Sequence, residues 1–414
     1  MARTPVERSE AESTVVERSA AESTVVERSA AESTVVERSA AGPTVVERSA
    51  AESKPIALWV VPVPELGGVA RHVLDVAAVG LPGWRLVVLC PDGALAVKLR
   101  EAGAAVVTGP FGPQAGFAAS VKTLRRNIRA LRPAVVHAHL AYADVVAAVA
   151  TIGTGARYVT TEHGIAGDDA VYHGSAWKSR LMAKVHEVRL RRASAIIAVS
   201  QATKWAMVHK WKPRQAVIVI PNGVDVEEVR ARIRAAVPAG AGRAGSAPAN
   251  GPYVLSLSRL SAEKRIPELL EAFAELRRTH PEATLTVAGE GPDRVALEAR
   301  ARALGLGDSV SFPGFLNAGA AMDEADVVVQ LSVWENCSYT LLDAVAAGLG
   351  VVATPVGGNP EILPERCLVE SEDAKAVASA IAAQLASDER PGSPWTTRAE
   401  MAQRTALLYA EAVL

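Results

Sequence analysis

Val327–Gly348 reads VVVQLSVWENCSYTLLDAVAAG. Val327–Leu331 is a β-branched run of the kind that fills a strand buried on both faces. Tyr339–Ala347 is rich in helix formers and stops at Gly348, the usual residue after a helix end. Between them lies a loop, Trp334-Glu335-Asn336-Cys337-Ser338, that carries an acid past the strand and feeds a helix N-terminus. The free N–H groups and the macrodipole of such a terminus attract anions. A loop acid can accept hydrogen bonds from sugar hydroxyls, and the second acid, Asp343, lies where it could hold a ribose. Taken alone, the pair reads equally as a helix cap and a surface acid.

The strand–loop–helix pattern repeats outward in both directions. Strands are predicted at Tyr253–Ser258, Thr284–Ala288, Val310–Phe312 and Gly350–Thr354, with helices at Ile266–Thr279, Asp293–Leu304 and Ala374–Ala386. A last helix covers Thr397–Val413. Upstream, strands are expected at Ile56–Val63, Trp84–Cys90, Ala104–Thr108, Val135–His139, Arg157–Thr161, Ala195–Val199 and Val217–Pro221. A helix starts near Val69, another joins the second and third strands, and two basic helices cover Ala118–Leu131 and Ala176–Arg192. Alternation of this kind makes a parallel sheet covered on both sides. The fold class is therefore α/β, with two Rossmann-like units at 54–225 and 251–392. A linker at 226–250 joins them, and a C-terminal helix occupies 393–414. Ligands of open α/β sheets sit at the carboxyl ends of the strands, so the chemistry belongs in the loops of an inter-domain cleft.

Four more such loops stand out. In Ser258-Arg259-Leu260-Ser261-Ala262-Glu263-Lys264, a guanidinium and an ammonium within one turn can neutralise a diphosphate. Gly289-Glu290-Gly291-Pro292 permits close backbone approach to a ligand. Gly67-Gly68 follows the first strand; it is not GxGxxG and lacks the later acid, which disfavours NAD. Thr161-Glu162-His163-Gly164 places a histidine at a strand end. Solvated loops and structural histidines are the plain alternatives for each.

Composition narrows the classes further. The 414 residues carry a formal charge of −1, which argues against nucleic acid as a partner. Three cysteines without CxxC spacing fit a reduced, cytoplasmic setting. No apolar run is long enough to span a membrane, and no secretory signal is expected. Residues 1–53 differ in texture: a decapeptide recurs from Glu7, Glu17, Glu27 and Glu37, with a partial copy from Glu47. Ten residues advance a helix by a net 280° or so, so its Val-Val pairs do not align on one face. Two valines per repeat offset too little chain entropy, and a disordered tail is expected.

The ordered set of motifs resembles the retaining glycosyltransferases of family 4, with the GT-B fold of two facing Rossmann-like domains. The set comprises Gly67-Gly68, His137-Ala138-His139, Glu162-His163-Gly164, Val199-Ser200, Ile220–Asp225, Ser258-Arg259-Leu260 with Lys264, Gly289–Pro292, the acid pair, and Gly357–Glu361. The resemblance implies that Arg259 and Lys264 hold the donor diphosphate. It also implies that Glu335, with N–H groups of Asn336, Cys337, Ser338 and Tyr339, contacts the donor hexose. Asp343, one methylene shorter than the family's usual Glu, would bind the ribose. Gly67, Gly68 and Gly291 would line the donor site, and His163 would lie near the anomeric carbon. The implied reaction is metal-independent transfer with retention from a UDP- or GDP-linked sugar, with no resident cofactor. The sequence has no DxD triad to chelate a metal. The acceptor would be a sugar, a lipid-linked molecule or a small molecule, in envelope polysaccharide, glycolipid or metabolite glycosylation of a bacterial cell. Basic helices carrying Lys122, Arg125, Arg126, Arg129 and Arg132, then Lys178, Arg180, Lys184, Arg189, Arg191 and Arg192, suggest peripheral membrane contact beside Trp177, Trp205 and Trp211. Alternatives with the same fold are a nucleotide-sugar epimerase and a non-catalytic nucleotide-sugar-binding protein.

Overall fold

The computed structural model describes residues 54–165, 176–236, 251–392 and 395–414. The repeats of 1–53 and most of the expected linker lie outside the described residues.

The first lobe is built from β1 (Ile56–Val60), α1 (Gly68–Val79), β2 (Arg85–Cys90), α2 (Ala94–Glu101), β3 (Ala105–Thr108), α3 (Phe117–Leu131), β4 (Val135–His139), α4 (Ala141–Ala150), β5 (Arg157–Glu162), α5 (Ala176–Arg192), β6 (Ala195–Ala198), α6 (Gln201–Trp211) and β7 (Val217–Val219). All seven strands are parallel, in the order β3-β2-β1-β4-β5-β6-β7. The second lobe follows with α7 (Val226–Ala236), β8 (Tyr253–Leu257), α8 (Ile266–Leu276), β9 (Thr284–Ala288), α9 (Arg294–Ala303), β10 (Val310–Gly314), α10 (Ala318–Glu324), β11 (Val327–Gln330), α11 (Tyr339–Ala347), β12 (Gly350–Ala353), α12 (Asn359–Ile362) and α13 (Ala374–Ala386). Its sheet is also parallel, in the order β10-β9-β8-β11-β12.

Strands β1, β4, β6, β9, β11 and β12 are buried along their whole length, because helices pack on both faces. Each sheet therefore separates two hydrophobic clusters. The strand order reverses between β1 and β4 in one lobe and between β8 and β11 in the other. Crevices open at such switch points, beyond the carboxyl ends of the strands. The loops after β1, β8 and β11 carry Gly67-Gly68, Arg259–Lys264 and Trp334–Ser338, and His139 is the last residue of β4.

Several elements depart from the sequence reading. β1 ends at Val60 rather than Val63, since Pro62 and Pro64 have no N–H to donate. The segment 226–250, expected to be a linker, begins as helix α7, which buries Val229 and Ile233 one turn apart. Helices α4, α6 and α10 were not foreseen. α4 buries most of its residues, so its sequence shows no polar face. The final helix, α14 (Arg398–Val413), starts with a Thr397–Glu400 capping box and returns to the first lobe. There Met401, Ala402, Ala406 and Tyr409 join the core beneath α1. The Trp59 indole donates to the Tyr409 hydroxyl at 2.8 Å.

Candidate active site

On the second lobe, Lys264 and Glu335 come together. β8 delivers the loop that ends at Lys264, and β11 delivers Glu335. The Lys264 ammonium donates to Glu335 Oε1 and, at 3.3 Å, to the Ser332 hydroxyl. Ser332 also donates to Glu335 Oε1 at 2.8 Å, and the Gln330 amide donates to the same atom. Both charged side chains are mostly buried, 16% and 13% exposed, so this pair sits in the crevice and not on the rim. Arg259 does not join it. Its guanidinium is 63% exposed and bonds Glu263 at 2.9 Å, one turn along. The two cations foreseen as a diphosphate clamp thus each hold a different acid.

Glycines shape the crevice by letting main chains touch. A Cβ on Gly291 would lie 2.0 Å from the Leu260 carbonyl oxygen, and one on Gly289 would lie 1.9 Å from that of Ser258. The close approach foreseen for Gly291 is therefore to the Arg259 loop itself. Gly357 and Gly358 do the same beneath the acid: their Cβ atoms would meet the carbonyl oxygens of Glu335 and Asn336 at 1.6 and 2.0 Å. Gly67 precedes α1 and Gly68 begins it; a Cβ on either would meet open space.

The loop 334–338 also faces the first lobe. Asn336 Oδ1 accepts from the Thr203 hydroxyl at 2.9 Å and from the Ile165 N–H at 3.3 Å. Cys337 gives its carbonyl to the Asn222 amide at 2.9 Å, and burial pushes its thiol up to about 12. Ser338 caps α11, accepting from the Leu341 N–H and donating to Gln330 Oε1. A Cβ on Gly164 would lie 3.9 Å from Trp334 and Asn336, so the His163 loop and the Glu335 loop are neighbours.

His163 belongs to a group that sequence reasoning saw only in pieces. Its Nε2 is 2.9 Å from His139 Nδ1, and its ring meets that of His72, from α1, at 4.8 Å. Behind them His137 bridges the Tyr409 hydroxyl and the Thr161 hydroxyl. β4 passes directly into α4 through Leu140, a non-glycine at φ 74°, which is backbone strain of the sort found beside functional sites. Among the described residues, His72, His139 and His163 are the group whose nitrogens lie close enough, within 4.8 Å, to share a cation. Here His139 and His163 bond each other, and His72 Nδ1 bonds Asn222 at 3.2 Å.

Burial holds His72 down to about 4, and holds His137, His139 and His163 well below the usual imidazole range. All four are neutral in the folded protein near pH 7. The unfolded imidazoles take up protons below about pH 6.5, while in the folded chain His72 waits until about 4 and the other three stay held well below the usual range, so stability falls as pH falls below about 6.5. The expected slope is up to ~1.4 kcal/mol per pH unit for each imidazole. Calorimetry from pH 8 to 5 checks this, and a melting temperature that is flat across that range would refute it.

The basic helix faces are thinner than expected. Arg189 turns inward, 1% exposed, to bond Asp144 at 2.5 Å and Glu162 at 2.7 Å. Arg192 donates to the Ala148 carbonyl, and Arg125 to those of Val149 and Ala150. Lys178, Arg180 and Trp177 have side chains outside the described set. Trp211 is buried, whereas Trp205 is 65% exposed. A surface cavity of about 760 Å³ near Arg129, Arg132 and Thr154 lies at the amino ends of β4 and β5, the wrong end for this site. No helix of the described residues is long and apolar enough to cross a membrane.

Four polar atoms in this region are buried without a hydrogen-bond partner among the described residues: His139 Nε2, Ser258 Oγ, Trp334 Nε1 and Tyr339 Oη. Each such atom costs about 1–3 kcal/mol unless something bonds it, and they gather at the strand-end loops of both lobes. Two parallel Rossmann-like sheets, with polar groups at both switch points, are the architecture typical of the GT-B fold.

Comparison with known proteins gives the family. Residues 66–228 match Glycosyltransferase Family 4, and residues 243–405 match Glycosyl transferases group 1. The chain is 31% identical over 308 residues to the 2-deoxystreptamine glucosyltransferase of Streptomyces kanamyceticus, covering 70% of this chain and 78% of that one. It is 29% identical to the glycogen synthase of Mycobacterium tuberculosis, over 73% and 78% of the two chains. Its fold matches that of Anabaena Alr3699/HepE in complex with UDP-glucose, with TM-score 0.68 and 22% identity over 86% and 98% of the chains. The chain belongs to glycosyltransferase family 4. It is a hexosyltransferase that draws on a nucleotide sugar.

Proposed function

We propose that the protein moves a hexose from a UDP- or GDP-linked donor to an acceptor hydroxyl, with retention and without a metal ion. The observation that carries this reading is the buried Lys264–Glu335 pair in the crevice, beside the loop that holds His163. As the bond from the anomeric carbon to the diphosphate loosens, negative charge grows on the leaving group. Lys264, the N-terminus of α11 and Arg259, once drawn from Glu263, stabilise that charge where water is scarce. Glu335 orients the hexose through its hydroxyls. His163, kept neutral by burial, donates or accepts a hydrogen bond beside the reacting carbon without adding charge. The leaving diphosphate takes the acceptor's proton. The lack of a DxD triad supports doing this without a metal.

The acceptor is a sugar, a lipid-linked molecule or a small metabolite. The two relatives just named differ in the molecule they are named for, and the inward turn of Arg189 weakens the case for a membrane-facing surface.

A thermal-shift panel of UDP, GDP and their glucose and mannose derivatives tests the donor. Ligand at 100 times Kd stabilises by about 2.7 kcal/mol, which for a lobe of this size is a rise of several degrees. If no nucleotide moves the melting temperature, the reading fails.

A further inference from the structure

Asn222 settles the tautomer of His72. Its amide nitrogen donates to the Cys337 carbonyl at 2.9 Å, so Oδ1 is the atom that faces His72 Nδ1 at 3.2 Å. A carbonyl oxygen only accepts, so neutral His72 carries its proton on Nδ1 and keeps a lone pair on Nε2. An outer hydrogen bond of this kind is what orients an imidazole that ligates a metal through its other nitrogen. His139 Nε2 is buried with no hydrogen-bond partner among the described residues, while its Nδ1 pairs with His163. Of the three rings only that of His163 is not fully buried, so it is the one that meets the crevice and its water. One nitrogen from each ring lies within 4.8 Å of the others. Nitrogens bound tetrahedrally to zinc sit about 3.3 Å apart, so the widest gap has to close by about 1.5 Å. The carboxylates of the crevice each face a cation: Glu162 meets Arg189, Glu335 meets Lys264, and Asp343 meets Arg71 and Arg232. The set is therefore all imidazole, which suits Zn²⁺ and not the oxygen-seeking Mg²⁺ or Mn²⁺.

We infer that His72, His139 and His163 form a zinc-binding site whose occupancy stops transfer. The ion replaces the hydrogen bond between His139 and His163, and a water from the crevice fills its fourth position. It acts as an inhibitor and not as a cofactor, in keeping with the metal-free transfer proposed above. The site stands on its own geometry; the inhibition rests on the donor reading, because a metal-held His163 is withdrawn from the anomeric carbon.

Cobalt(II) titrated into the full chain without nucleotide tests the site, since it takes zinc's ligands and its tetrahedral complexes absorb strongly in visible light. The expected result is a saturable tetrahedral spectrum that Zn²⁺ erases and Mg²⁺ does not. His72→Gln and His163→Gln should each weaken binding by about tenfold or more, with melting temperatures confirming that the variants fold. A weak octahedral spectrum in the wild type, or one unchanged in a folded variant, overturns the site. Release of nucleotide diphosphate from the donor should cease with Zn²⁺ and return with EDTA. Full turnover with zinc bound overturns the inhibition. If no donor turns over even without zinc, the donor reading fails while the cobalt spectrum still decides the site.

Discussion

Replacing Lys264 by alanine is expected to lower kcat/KM for the nucleotide sugar by about 10²–10³-fold, with most of the loss in kcat. The size follows from removing one preorganised donor aimed at a leaving anion. Lys264 is the better candidate of the two cations because it is buried and held by Ser332 and Glu335, whereas Arg259 is largely solvated. Charge in a water-poor crevice acts through a low effective dielectric, and charge at the rim is screened. Arg259→Ala should therefore cost less than Lys264→Ala, mainly in KM. Steady-state kinetics on both variants, beside the melting temperature of each, separates chemistry from folding. A loss below tenfold for Lys264→Ala, in a protein that still folds, would remove it from the reaction.

Arg189→Met is expected to destabilise the first lobe by about 3–5 kcal/mol, the usual cost of leaving buried charges without their partner. Arg189 is held between Asp144 and Glu162, and its guanidinium also faces the Trp211 ring at 5.3 Å. Burial already raises Asp144 well above the ordinary carboxylate range, with Arg189 opposing that rise. Without the arginine, Asp144 moves up further. An acid whose folded pKa is raised destabilises most at high pH, so the deficit should shrink from pH 8 toward pH 5. Urea denaturation at those two pH values checks both size and direction. A loss under 1 kcal/mol, or one that grows in acid, would contradict the assignment. Because Glu162 precedes His163, activity should fall with stability.

Much of the frame was legible along the chain. Apolar runs such as Ile56–Val60 and Val327–Val329 can be satisfied only between two layers of helix, and their alternation with helices dictates parallel sheets. The candidate loops were legible as well, since ligands of open sheets sit beyond the carboxyl ends of strands: Lys264 and Glu335 follow the switch-point strands β8 and β11, and His163 follows β5. What was misread had a local cause. α4 is apolar but for Tyr142 and the buried Asp144, α10 has only seven residues, and the Gly/Pro run after α7 masked its Val229–Ile233 stripe.

The sequence by itself determined two parallel α/β lobes and the loops in which the candidate site lies, because hydrophobic periodicity and strand-end loops are local properties. Only the tertiary structure decided which charges meet. Arg71 and Asp343 are 272 positions apart, Trp59 and Tyr409 350 apart, and Lys264 and Glu335 71 apart. Partner choice among charged groups depends on distance and desolvation after the lobes have packed, and neither quantity is written in the spacing of residues along the chain.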